Sequence, residues 1–165
     1  MKSLQYNRRE SIEIHGVPQS IQNDKLENYC LGVLGDIGCG VIKDKDVHAC
    51  HRMRNKENTI IRFANRKHAD LALHHRKKLK VIDRLRYEIP VNSHGIFINE
   101  SLCKPMQFLS FKVRSAYKSK LIESYNFWKG KLSLKQTGNE HRISHVDDLI
   151  GLGLAVEDDR SLFLK

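Results

Sequence analysis

Hydrophobic and polar positions change their spacing several times along the chain, and each change marks an element. In SIEIHGVP, Ile12 and Ile14 alternate with Glu13 and His15, which reads as a half-buried strand stopped by Gly16 and Pro18. Leu26, Tyr29, Cys30, Val33, Leu34 and Ile37 then recur with the spacing of an amphipathic helix. Asp24 with Glu27 predicts a capping box at its start, and Gly38 and Gly40 supply its stop. Val47–Arg54 predicts a second strand, with NKEN as its turn. Thr59–Ala64 predicts a third, rich in β-branched residues. Asn65 introduces a second helix, Arg66 to Lys80, with Ala69, Ala72, Leu73 and Leu79 inward. After the loop VIDRLRYEIPVNSHG, Gly95–Leu102 predicts a fourth strand, Ile96 and Ile98 opposing Phe97 and Asn99.

The order β-α-β-β-α-β is the split βαβ arrangement of ferredoxin-like folds. A second unit follows. Pro105 suits the first turn of a helix striped by Phe108, Leu109, Val113, Ala116, Tyr117 and Leu121. YNFWKGKLSLK is a hairpin signal with Lys129-Gly130 at the turn. RISHVDDLIGLG predicts a short strand and a short helix, with Ser144 as the N-cap. The expected class is α+β: a short segment 1–10, a ferredoxin-like domain of the RNA-recognition (RRM) type over 11–102, a small α/β C-terminal domain over 103–154, and a tail over 155–165.

The chain has 165 residues, a formal net charge of +10 and 40% hydrophobic residues, enough for a packed core. Charge is segregated. Arg52–Arg86 holds twelve Lys/Arg against three Asp/Glu, and Lys104–Lys135 holds eight against one. Two basic blocks are the footprint expected for a partner rich in phosphate, although a solvated lysine-rich surface has the same composition. No apolar run is long enough to span a bilayer, and the N-terminus lacks the apolar core of a signal peptide. Cys30, Cys39, Cys50 and Cys103 are irregularly spaced, which predicts free thiols in a reducing compartment.

Other chemistries find little support. His48, Cys50 and His51 are close in sequence, but strand alternation sends Cys50 and His51 to opposite faces, and no CxxC pair exists. His68, His74 and His75 read as surface histidines on a basic helix. Asp147 and Asp148 read as a helix start. Gly32, Gly35, Gly38 and Gly40 form no phosphate loop, since no GK[ST] follows. No serine or cysteine nucleophile has a local motif. The expectation is a protein without enzymatic activity, cofactor, metal or small-molecule substrate.

Strand parity assigns the sheet faces. Ile12, Ile14, Ile61, Phe63, Ile96 and Ile98 are expected inward. Glu13, His15, Ile60, Arg62, Phe97 and Asn99 are expected on the open face, joined by Cys50, Arg52 and Arg54 of the second strand. RNA-recognition domains stack bases on aromatics of their first and third strands. Those places hold Glu13, Asn58 and Ile60 here, so the expected grip is on phosphates, with Phe97 the one open-face ring. Trp128 and Tyr125 could stack on bases, but Trp128 is expected mainly in the core of the small domain.

YNRRESIEIHGVP, VHACHRMR, TIIRFANRKHADLAL, HHRKKLK and IFINESL, followed by FWKGKLSLK and ISHVDDL, resemble in their order the first-reading-frame proteins of LINE-type retrotransposons. Baculovirus few-polyhedra (FP) proteins are similar. The resemblance covers about Tyr6 to Gly153. It implies an RNA-recognition-like domain and a C-terminal domain gripping single-stranded RNA or DNA in a basic cleft, as a nucleic-acid chaperone in a cytoplasmic ribonucleoprotein, with the nucleus as a second location. The residues it implies are Arg8, Arg9, Arg52, Arg54, Lys56, Arg62, Arg66, Lys67, Arg76, Lys77, Lys78, Lys80, Arg114, Lys118, Lys129 and Lys131, to which strand parity adds Phe97. The family's upstream coiled coil is expected to be missing, which puts self-association through it in question. The FP-like relatives imply an alternative: an assembly or protein-interaction factor with reduced nucleic-acid binding.

Overall fold

Ile12 and Ile14 are almost fully buried, and strand β1 (Ser11–His15) lies inside a four-stranded antiparallel sheet. The computed structural model describes residues 5–54 and 58–163. It is an α+β structure with a four-stranded and a three-stranded antiparallel sheet. The chain divides into two units, Arg9–Ser101, and Met1–Arg8 with Leu102–Lys165.

The Arg9–Ser101 unit contains β1, α1 (Asn23–Leu34), β2 (Val47–Arg52), β3 (Asn58–Phe63), α2 (Arg66–His75) and β4 (Phe97–Glu100), with sheet order β2-β3-β1-β4. Ile12 faces Ile61, and Ile14 faces Ile98 and Thr59. These pairings gather isoleucines and Phe63 on one side. Leu26, Cys30, Val33 and Leu34 of α1 and Ala69, Ala72 and Leu73 of α2 supply the rest of the core.

Several boundaries differ from expectation. Gln22 caps α1 without a side-chain bond, so the Asp24–Glu27 box does not form. Asp24 still sits in the first turn, where a carboxylate suits the helix dipole. After His75 the chain tightens into a 3₁₀ helix, Arg76–Val81, a common way to end an α-helix, and Leu79 stays buried. β2 ends at Arg52. Most of the NKEN turn, residues 55–57, lies outside the described residues, but Met53 N–H donates to Asn58 O at 2.8 Å across it.

In the other unit, α3 (Lys104–Lys118) precedes the meander β5 (Ser124–Trp128), β6 (Lys131–Gln136) and β7 (Asn139–Ile143), in sheet order β5-β6-β7. Lys129 and Gly130 have φ of 52° and 72°, as a two-residue type I′ turn requires. Leu109, Val113, Leu132, Leu134, Ile143, Val146 and Leu149 form the core. The α3 stripe is rotated from expectation: Met106 and Ser110 are buried, while Tyr117 and Leu121 are exposed. His145, not Ser144, caps α4 (Val146–Gly151), and the Asp148 carboxylate accepts the Ser144 and His145 N–H groups at 2.7 and 2.8 Å.

The expected tail contains α5 (Asp159–Phe163), which buries Phe163 in the core. Asp159 pairs with Lys112 at 2.8 Å. That bond, then the Val156 N–H, hold the Asp159 carboxyl below the usual range. The start of the chain is anchored as well. Gln5 is buried, and its Oε1 accepts the Cys103 N–H at 2.9 Å. Among the described residues no helix is long and apolar enough to cross a membrane.

Candidate nucleic-acid interface

The first sheet carries α1 and α2 on one face. Cross-strand partners define the other. Glu13 lies between Ile60 and Asn99, His15 between Asn58 and Phe97, and Arg62 opposite Ser11 and Ala49. Arg62 is exposed and 3.4 Å from Glu10. The expected place of β2 is corrected. A bulge between Val47 and Ala49 sets Cys50 opposite Ile61 and Arg52 opposite Thr59, on the helix-bearing face, and turns His51 outward opposite Ile60. Packing explains the choice: the Cys50 thiol hydrogen-bonds the buried Cys30 of α1, which pushes the Cys30 thiol up. Arg52 therefore faces the loop after β1, where it donates to Val17 O, Pro18 O and Ile21 O at 3.3, 2.6 and 3.0 Å. It is a structural clamp and not part of the open face. Arg54 is exposed beyond the end of β2.

The open face is thus less basic than expected, with the carboxylate of Glu13 near its centre. Its aromatic feature is a pair. The His15 and Phe97 rings stack with centroids 4.5 Å apart and planes 7° from parallel. Burial pushes the His15 imidazole below its ordinary pKa, partly offset by its hydrogen bond to Asn58. Asn99 Nδ2 lies 3.5 Å from His15 Nε2 and Glu13 Oε2 3.7 Å from it.

The cations gather instead beside β4, which pairs with β1 and, among the described residues, forms one edge of the sheet. A groove of about 510 Å³ runs along it, with Arg76, Lys77, Lys80, Arg84 and Phe97 in its lining. The connection from 82 to 96 forms one wall and is stapled at two points. Arg84 donates to Pro90 O, and to Ser93 O and Ser93 Oγ at 3.1 Å. Arg86 and Tyr87 both donate to Asp36 Oδ2 at 2.8 Å, while Tyr29 donates to Tyr87 O at 2.7 Å. Burial, then the bond to Asp36, push Tyr87 up to about 12. Neither staple follows from a sequence motif: Arg84 reaches acceptors six and nine residues on, and Arg86 and Tyr87 reach Asp36, 50 and 51 residues back. Lys78 does not line this groove; its Nζ lies near Gly38.

The three-stranded sheet has a second surface. Pairing puts Tyr125, Phe127, Leu132, Leu134 and Ile143 on the core side, and Asn126, Trp128, Lys131, Ser133 and Arg142 on the other. These outward residues, together with Glu140, line a concavity of about 430 Å³. The expectation that Trp128 belongs to the core is overturned: strand parity turns it outward, half-exposed, with Lys129 Nζ 5.9 Å from its ring centroid. Arg142 is the basic residue that sequence reasoning missed. It stands apart from the charge clusters in HRIS, and only the pairing Ser133–Arg142 brings it to this face.

The remaining candidates are dispersed. Arg66 and Lys67 are exposed in the first turn of α2, where Asn65 Oδ1 accepts the Lys67 N–H at 2.9 Å. Arg114 and Lys118 are exposed on α3. Arg8 donates to Leu102 O at 3.2 Å, and Arg9 is half-buried. Lys56 lies outside the described residues. Among the described residues no three His, Cys, Asp or Glu side chains converge as metal ligands would. No protein-family model matches the chain, and no curated protein matches it.

Proposed function

We propose that the chain is a non-enzymatic module that binds single-stranded nucleic acid, RNA foremost, mainly through its phosphates. One observation carries this reading: in each unit an exposed or half-exposed ring shares a concave surface with cations. Phe97 lies with Arg76, Lys77 and Lys80 in one, and Trp128 with Lys131 and Arg142 in the other. Rings with cations are the parts of a single-strand site, the cations for the backbone and the rings for unstacked bases. The antiparallel order β2-β3-β1-β4, with α1 and α2 on one face, supports an RNA-recognition-like, ferredoxin-type first domain followed by a small α/β domain. On this reading the chain is a relative of the LINE-type first-reading-frame proteins and works in a ribonucleoprotein as a chaperone of its strand. Binding of a labelled single-stranded RNA over a salt series tests it.

A second reading has its own observation. Val81 at the end of the 3₁₀ helix and Leu85 and Val91 in the connection after it are 86, 90 and 87% exposed. Exposed apolar side chains this near in sequence suit a protein partner, as an FP-like assembly factor would need. Substituting all three with serine leaves RNA affinity unchanged under the first reading and abolishes partner capture under the second.

A further inference from the structure

We propose that the groove beside β4 is a nucleotide pocket, which stacks a purine base on Phe97 and holds the attached phosphate on Arg76, Lys77 and Lys80. The inference rests on the nucleic-acid reading above and sharpens it from a grip on backbone to a site that also takes a base.

Four observations converge. The volume, about 510 Å³, falls in the range of small-molecule sites. Among the described residues no Asp or Glu lines the groove, while Arg76, Lys77, Lys80 and Arg84 do, so it suits an anion. Lys77 and Lys80 are three residues apart in a 3₁₀ helix, a spacing that puts both side chains on one face, and both line the groove. Phe97 is 42% exposed although backed by His15 in a nearly parallel stack. A ring fixed upright by a partner on one face accepts a base without losing side-chain freedom.

The pocket is also preformed. Arg84 ties the wall to Pro90 and Ser93. Gly16, at the end of β1, packs so closely on the Gly95 carbonyl that a side chain there would collide with it. Both contacts fix the entry to β4. The imidazole behind Phe97 is held toward its neutral form by burial, so the pile presents an uncharged face to a base.

The ligand chemistry is a nucleoside 5′-phosphate, met as one unit of a strand or as a free nucleotide. The test is an NMR titration of the whole chain at low salt with AMP, ribose 5-phosphate and a short oligoadenylate. AMP is expected to shift the His15 and Phe97 ring signals and to bind about tenfold tighter than ribose 5-phosphate, because stacking adds to phosphate binding. Phe97→Leu should erase that difference and Phe97→Tyr should keep it, while Lys77→Gln with Lys80→Gln should weaken both ligands. The idea is overturned if AMP and ribose 5-phosphate bind alike, or if Phe97→Leu binds AMP as the native chain does.

The two readings fail separately. An oligoadenylate that binds while AMP behaves as ribose 5-phosphate removes the pocket and keeps the nucleic-acid reading. AMP bound through Phe97 with no oligoadenylate binding keeps the pocket, removes the nucleic-acid reading and identifies free nucleotide as the source. Displacement of AMP by the oligoadenylate supports both and identifies the strand.

Discussion

Arg52 donates from Nη2 to the carbonyl oxygen of Pro18 at 2.6 Å, and to the Val17 and Ile21 carbonyls beside it. A residue in the most basic stretch of the chain is thereby spent on closing the loop after β1. Charged hydrogen bonds to partly buried carbonyls contribute about 2 kcal/mol. Arg52→Gln is therefore expected to lower the unfolding free energy by about that amount in urea titrations, and to leave the salt dependence of RNA binding unchanged. Native stability with weakened binding would return Arg52 to the interface.

The meander face makes the opposite prediction. Trp128 and Arg142 point away from the core. Trp128→Ala should weaken single-stranded RNA binding about tenfold, by loss of a stacking surface, and Arg142→Gln should reduce the salt slope. Both should unfold close to the native midpoint. Leu132, 1% exposed on the other side of the same sheet, is the contrast: Leu132→Ala should cost about 2–5 kcal/mol. A large stability loss for Trp128→Ala would restore it to the core.

At Gly16 two constraints coincide. Its φ is +79°, and an added Cβ would collide with the Gly95 carbonyl oxygen. Gly16→Ala should cost about 3 kcal/mol from strain and displacement together. Gly40→Ala, where φ is −63° and no heavy atom lies within 4 Å of the added carbon, should change stability by less than about 0.5 kcal/mol. Equal melting shifts for the two would contradict the close approach of β1 and β4.

His15 sets a pH dependence whose sign follows from its burial. Its folded pKa lies below the ordinary 6.5, so below that value the unfolded chain binds the proton more readily. The stability it protects is complete above about pH 6.5 and is lost as pH falls through the imidazole range. Glu13, Asn58, Asn99 and Phe97 are the groups that face it. Urea unfolding at pH 7.5 and 5.5 should show a smaller loss for His15→Gln than for the native chain. An equal loss in both would assign the pH dependence elsewhere.

How much of this was legible follows from the range of each interaction. Ile12 with Ile14, and the stripes from Leu26 to Ile37 and Ala69 to Leu79, were readable because burial imposes a period on neighbouring residues. The facing of Cys50 and Arg52 was not, because one bulge at Val47/Ala49 reverses parity for the rest of β2. The groove was legible only as charge: RKKLK is plain in the sequence, but Arg84, Arg86 and Tyr87 gain their roles from Pro90, Ser93 and Asp36. Trp128 was misplaced by size. A large ring is usually buried, but here register decided, setting it beside Lys131 instead of Leu132.

The central claim is a phosphate grip on a single strand, and fluorescence anisotropy of a labelled single-stranded RNA between about 50 and 200 mM salt tests it most directly. The account predicts binding at low salt and a linear fall of log affinity with log salt, with a slope of about −0.7 for each phosphate contacted. Charge reversal at Lys77, Lys80 and Lys131 should flatten that slope while the circular dichroism spectrum stays native. Duplex RNA of the same length should bind more weakly, because its bases cannot reach Phe97 or Trp128. No binding at low salt, or equal binding of single and double strands, would contradict the account.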